Sequence, residues 1–240
     1  MNQIPQGEKG FSRPVTSKLN SLSDIEKKAG WRLLFDGKST AGWRSFNNNK
    51  IGSAWKVRDG ALYLDNSRKN EWQVEGGGDI VTEDEFENYE LMLEWKIQPN
   101  GNSGIIFNVV EDKKYNYVWQ TGPEMQILDN AGHADGQIAK HRAGNLYDLI
   151  ESPYVSVYPA GEWNHARILL NQGHLELWLN GHKQAEVEMF TEEWTEMIKA
   201  SKFKDMPDFG LARKGRIALQ DHGDQVWFRN VKIRELKKVN

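Results

Sequence analysis

Hydrophobic and polar positions alternate most cleanly at Tyr89–Ile97, where Tyr89, Leu91, Leu93, Trp95 and Ile97 share one parity and Glu90, Glu94 and Lys96 the other. A period of two predicts a strand with one buried and one solvated face. Pro99 to Gly101 turns the chain, and residues 105–110 read as the return strand. The same alternation recurs downstream. Residues 163–170, 175–179 and 182–188 read as a meander of hairpins whose turns are Asn171-Gln172-Gly173 and Asn180-Gly181. Upstream, residues 55–57 and 61–64 flank Asp59-Gly60, whose pairing supplies the positive φ of a two-residue turn.

Further strands are predicted at residues 31–35, 117–120, 124–128, 146–150, 216–220 and 226–236. Helical signals are few. Ser23-Asp24-Ile25-Glu26 has the spacing of a capping box and opens a short helix ended by Gly30. Residues 190–203 place Trp194, Met197 and Ile198 on one helical face. Residues 1–18, rich in Gly, Pro, Gln and Ser, read as a poorly ordered lead-in. Strand upon strand with short turns predicts an all-β fold for residues 19–240, an antiparallel two-sheet sandwich with a short N-terminal helix and one inserted helix. No internal repeat or composition break marks a second domain.

Composition narrows the function. Ten Trp, nine Phe and seven Tyr provide core material for such a sandwich, and 27% charged residues provide a soluble surface. The net charge of -3 is made of interleaved signs, which argues against nucleic acid as a partner. Cysteine is absent, so disulfides, thiolate metal sites and a Cys nucleophile are excluded. No apolar run approaches the roughly 20 residues that span a bilayer. The first residues lack an apolar signal core, so any export signal would have been removed from this sequence; a chain beginning just after a lipoprotein cleavage site, with its first residues as a tether, would read the same way, as would a cytoplasmic protein. The Gly-x-Ser-x-Gly elbow, the phosphate-binding Gly-Lys-Ser/Thr loop, the dinucleotide Gly-x-Gly-x-x-Gly and His-Glu-x-x-His are all missing. Gly76-Gly77-Gly78 has no helical pattern after it and reads as a flexible or close-approach loop.

The candidate chemistry gathers around Thr121 to Asn130. If Glu124–Leu128 is extended, Glu124 and Gln126 share one face while Met125 and Ile127 point into the core. That face is a solvated exterior or the floor of a polar cleft. Asp221-His222 adds an imidazole beside a carboxylate, a pair suited to proton transfer near neutral pH, or else a turn capped ahead of Gly223. His133 and Asp135, two apart on the polar loop from Asp129 to Arg142, are weak candidate ligands for a divalent metal, or members of a solvated loop. Sugar rings stack on aromatic side chains while their hydroxyls need Asn, Gln, Asp and Glu, and the chain is rich in both. Most of the Trp residues belong to the core of a sandwich this size, so none is assigned to a ligand. The spacing Glu124-x-Gln126-x-x-Asp129 also echoes the two-carboxylate strand of sandwich-fold glucanases, with an amide in the middle position.

Gly30-Trp31-Arg32-Leu33-Leu34-Phe35-Asp36-Gly37-Lys38, Gly42-Trp43, Trp55-x-Val57-x-Asp59-Gly60-x-Leu62, Tyr89-Glu90-Leu91 with Glu94-Trp95, Gly101-Asn102-Ser103-Gly104-Ile105, Pro123 to Asp129, Gly161-Glu162-Trp163-Asn164, Trp178-Leu179-Asn180-Gly181 and Leu219 to Gly223 with Phe228-Arg229-Asn230 together resemble the bacterial 3-keto-disaccharide hydrolase family. The resemblance implies a concanavalin-like jelly roll and a small carbohydrate substrate. It further implies an exported protein, periplasmic or at the cell surface, with a lipid anchor in some precursors. The activity it implies is cleavage of 3-keto-glycosides, by hydrolysis or by elimination. A ketone at C3 acidifies the proton on C2, so a base can form an enolate that expels the C1 oxygen. By motif position Glu124 or His222 is the base, with Asp221 orienting His222. Asn102, Gln126, Arg142 or a metal holds the oxyanion, and Ser103, Asp129 and Tyr147 contact the sugar. A non-catalytic carbohydrate-binding module and a conventional glycosidase using Glu124 and Asp129 are the competing readings.

Overall fold

A computed structural model describes residues 18–70 and 72–237 of the protein. The lead-in read at residues 1–18 lies, apart from Lys18, outside them. Ser23 and Glu26 form the expected capping box, Glu26 N–H donating to the Ser23 hydroxyl and Ser23 N–H to the Glu26 carboxylate at 2.8 Å, and this opens α1 (Asp24–Lys28).

The strands then follow in chain order. They are β1 (Arg32–Leu33), β2 (Trp43–Ser45), β3 (Trp55–Arg58), β4 (Ala61–Leu64), β5 (Lys69–Asn70), β6 (Gln73–Val74), β7 (Ile80–Thr82) and β8 (Tyr89–Ile97). After these come β9 (Asn102–Val109), β10 (Glu124–Leu128), β11 (Asn164–Asn171), β12 (His174–Leu179) and β13 (His182–Glu188). Helix α2 (Glu192–Lys199), capped by Thr191, precedes β14 (Arg216–Leu219) and β15 (Val226–Glu235).

All pairings are antiparallel. One sheet runs β13-β12-β11-β8-β15-β4-β3 with β1 added to β15; a second, five-stranded sheet runs β10-β9-β14-β7-β2. Leu91, Leu93, Trp95, Ile168, Leu177 and Phe228 of the first sheet pack with Ile105, Phe107, Met125, Ile127, Ile217 and Leu219 of the second in one buried cluster. That shared core makes the fold a jelly-roll type sandwich, the architecture expected from the alternation. Asp59 (φ 51°) with Gly60 (φ 73°), and Asn180 (φ 49°) with Gly181 (φ 84°), take the left-handed conformations of tight hairpin turns at the predicted places.

Three expectations change, and four short strands were not foreseen. The polar face of β8 is not solvated: Glu90 is 1% exposed, ion-paired to Arg167 and Arg234 from the neighbouring strands. Residues 117–120 form a 3-10 turn (Val118–Gln120), because the Gln120 carboxamide accepts from the backbone N–H groups of Asn116 and Tyr117 and curls the chain. Residues 146–150 make only isolated bridges, Leu146 with Met125 and with Ile150. The three-residue strands β2 and β7 and the short β5–β6 pair carry too few positions to show a period. No helix among the described residues is long and apolar enough to cross a membrane.

Candidate active site

Glu124, Gln126, Asn102, Gly104 and Gln220 share the face of the five-stranded sheet turned away from the core, because β10, β9 and β14 are neighbours and side chains alternate along each. The register places Glu124 opposite Ile106 and Gln126 opposite Gly104. Gln220 extends β14 through its N–H to the Gly104 carbonyl at 3.0 Å. Loops from four other parts of the chain wall this face into a cleft of about 410 Å³.

The free edge of β10 is covered by the segment Gly144 to Tyr147. Gly144 N–H donates to Gln126 O, Gln126 N–H to Asn145 O and Tyr147 N–H to Glu124 O, which sets the Tyr147 ring beside Glu124. The opposite wall is aromatic. Tyr117 stacks on Trp119 with ring centres 4.9 Å apart, and Trp72, 40% exposed, meets Tyr117 edge-on at 5.3 Å. The segment after α2 supplies Lys202, Phe203 and Met206. Trp194 anchors α2 through its indole N–H to Gly210 O, and Phe203 stacks on Phe209. His222 closes the ring of lining residues, so the cleft contains both Glu124 and His222.

Burial pushes the Glu124 carboxyl up to about 8, the nearby carboxylates of Asp79 and Asp135 adding to the shift and the Lys202 ammonium opposing it. Among the described residues no hydrogen bond from a side chain or N–H reaches this carboxyl, so the charge of Lys202 alone offsets part of the cost of ionising it. Burial drives the His222 imidazole the other way, below its ordinary value, with Asp224 pulling against it. An uncharged acid and a neutral imidazole therefore face one cavity at neutral pH. Asp79 is a second buried carboxyl near this face, raised to about 7 by burial while accepting the Asp221 N–H at 3.0 Å.

Several predicted residues serve elsewhere. Asp221 does not orient His222: it is fully buried, and its carboxylate accepts the N–H groups of Val74, Gly78 and Gly223 at 3.1, 2.7 and 2.8 Å. A Cβ on Gly77 would lie 2.3 Å from the same carboxylate, so the Gly76-Gly77-Gly78 run is a close-approach loop wrapped on it. The carboxylate whose charge acts on His222 is Asp224, itself held by Lys69 and the Asn102 N–H. Ser103 lies on the core-facing side of β9 and donates to Gln220 O at 2.8 Å. Asp129 accepts the N–H groups of Asn100 and Ala131, outside the cleft lining. Arg142 donates to Gly136 O within its own loop. Asn102, Gln126 and Tyr147 do line the cleft.

The metal reading gains nothing from the donor set. His133 Nδ1 accepts the Asp135 N–H at 3.1 Å, Asp135 accepts the Tyr147 hydroxyl at 3.1 Å, and no third ligand converges on the pair among the described residues. The trio that does converge, His174, Glu176 and Glu186, lies on the β12–β13 hairpin outside the cleft, with Lys183 already bridging both glutamates.

Trp72, Tyr117, Trp119, Lys202 and Gln220 were not singled out from the sequence as site residues. Tyr117 and Trp119 at alternate positions beside a capping Gln carried a weak signal. Trp72 and Lys202 carried none, since only the tertiary fold brings them to β10.

The sequence profile of a family described as 3-keto-alpha-glucoside-1,2-lyase-like domains matches residues 30–234. A 3-keto-disaccharide hydrolase of Bacteroides thetaiotaomicron is 35% identical, covering 92% of this chain and 83% of that protein. A crystal structure from Parabacteroides distasonis, described as that of a candidate glycosyl hydrolase, superposes with a TM-score of 0.83 at 33% identity, covering 92% of this chain and all of the other. A second candidate glycosyl hydrolase from the same organism gives 0.62 at 28% identity over 86% of this chain and 99% of its own.

Proposed function

This chain belongs to the family of 3-keto-alpha-glucoside-1,2-lyase-like domains, and from that premise we propose that it cleaves the glycosidic bond of sugars oxidised at C3. The observation that carries the reading is the pairing of Glu124 with His222 in one aromatic-walled cleft, the carboxyl raised so that it keeps its proton at neutral pH and the imidazole lowered so that it stays neutral. His222, neutral, takes the proton from C2. The C–H electrons form the C2–C3 double bond and the ketone oxygen becomes an enolate. As the enolate collapses back to the ketone, the C1–O bond breaks, and Glu124, protonated, gives its proton to the departing oxygen. The products are an alcohol or second sugar and an enone; addition of water, hydroxyl to C1 and hydrogen to C2, makes the net reaction a hydrolysis.

Trp72, Tyr117 and Trp119 suit the C–H faces of a pyranose, and Asn102, Gln126 and Gln220 suit its hydroxyls. Gln220 Oε1 is buried without a partner among the described residues, an acceptor in want of a donor such as a sugar hydroxyl. The two-carboxylate alternative loses support because Asp129 is spent on backbone N–H groups.

The test is turnover of a panel of disaccharides before and after C3 oxidation by the native protein and by Glu124→Gln and His222→Ala. The expected result is cleavage of the oxidised sugars only, falling by at least about 10²-fold in each variant while binding persists. Inertness toward every oxidised sugar, with binding kept, would favour a non-catalytic carbohydrate module; equal cleavage of unoxidised sugar would favour a conventional glycosidase.

A further inference from the structure

Among the described residues that line the cleft, only Lys202 is a permanent cation. Its backbone N–H donates to Asp148 at 2.8 Å, and Asp148 is held in turn by His141 at 3.0 Å. Its ammonium lies 4.0 Å from the centre of the Tyr147 ring, on the wall next to Glu124. It forms no ion pair among the described residues, although carboxylates are plentiful nearby. A lysine on an exposed segment normally points to water or to a surface carboxylate; this one is turned over an aromatic face into a cavity whose other polar groups are amides, two phenols, two indoles, a carboxyl and an imidazole.

We propose that Lys202 is a catalytic residue that binds the C3 oxygen of the substrate, donating a hydrogen bond to the ketone and neutralising the enolate that forms on it. The inference rests on the function proposed above and names the group that makes the site specific for an oxidised ring. Abstraction of the C2 proton moves a full negative charge onto the C3 oxygen, and a preorganised cation there is worth most at that moment. An ammonium has donors and no acceptor. It therefore serves a carbonyl or enolate oxygen fully, and an unreacted C3 hydroxyl only through that hydroxyl's lone pairs. Because the interaction strengthens as charge develops, its loss falls on kcat more than on KM. The inserted helix α2 acquires a purpose from this: it carries Lys202, Phe203 and Met206 over the sheet face.

The experiment compares the native protein with Lys202→Met and Lys202→Arg on one 3-keto-disaccharide across pH, together with calorimetric binding of the same disaccharide unoxidised. Expected are a fall in kcat of about 10²–10³-fold for Lys202→Met, partial recovery in Lys202→Arg, and a far smaller loss of affinity for the unoxidised sugar, under about tenfold. The melting temperature should not move, since the side chain is exposed. A purely electrostatic influence on Glu124 would shift the pH profile without lowering its plateau, and would overturn the proposal. Lys202→Met within twofold of the native kcat at every pH would overturn it too, and would leave the parent reading standing. Inertness of the native protein toward the oxidised sugar would remove both.

Discussion

A methyl group on Gly104 would sit 2.1 Å from Oε1 of Glu124. Glycine at this position of β9 is the space into which the carboxyl of the neighbouring strand folds, and it explains the glycine closing the Gly101-Asn102-Ser103-Gly104 motif better than any turn geometry does. Gly104→Ala is expected to displace the carboxyl and lower kcat by at least about tenfold at a stability cost of about 1–3 kcal/mol. Steady-state kinetics and thermal melts on the same preparation check it; unchanged kcat would mean that Glu124 works from another position.

The second expectation concerns stability. In the folded state Glu124 titrates near 8, far above its ordinary 4.5. Between those values the unfolded chain is ionised at this residue while the folded one holds the proton, so the folded state binds more protons and loses stability as pH rises through that window. Glu124→Gln removes the loss. It should raise the melting temperature at pH 8, by a stabilisation of a few kcal/mol at most, and change it little at pH 4.5, while abolishing turnover.

Catalysis should show its own pH dependence. The active form has His222 neutral and Glu124 protonated, so kcat/KM should rise as His222 loses its proton below its ordinary value and fall as Glu124 ionises near pH 8. In Glu124→Gln the alkaline fall should vanish from whatever activity remains. A fall persisting unchanged would assign the alkaline limb to another group.

Asp221 supplies a contrasting prediction. Its carboxylate is fully buried and ties the glycine loop, the β6 segment and the Gly223 turn together through backbone N–H groups. Asp221→Ala leaves those donors without a partner and is expected to cost about 3–5 kcal/mol. Urea denaturation should register the loss, and any drop in activity should track the unfolded fraction. A folded, stable and inactive Asp221→Ala would return this residue to the chemistry.

The sandwich was legible wherever a strand buries one apolar face and ends at a residue that tolerates positive φ, as at Tyr89–Ile97, Asp59-Gly60 and Asn180-Gly181. Alternation could not show what covers the polar parity. Glu90 looked solvated because the arginines that bury it, Arg167 and Arg234, lie 77 and 144 residues away in sequence. The site divides along the same line. Glu124 and Gln126 could be placed from one strand, since their shared face is a local property. His222 and Asp221 were adjacent in sequence and so read as a pair, but consecutive residues at a turn point in different directions, and the carboxylate whose charge acts on the imidazole is Asp224. Lys202 and Trp72 reach the cleft through loops, where no period constrains direction.

The most direct measurement is the fate of the C2 hydrogen. A 3-keto-disaccharide cleaved by the native protein in deuterium oxide should yield a product that has lost its original C2 hydrogen, either an enone with none at C2 or, once water has added, a keto-sugar carrying deuterium there, as read by NMR or mass spectrometry, and His222→Ala should lose it far more slowly. A product that retains its original hydrogen at C2 after full cleavage would mean that the bond breaks without an enolate, and would contradict the roles given to Glu124, His222 and Lys202 together.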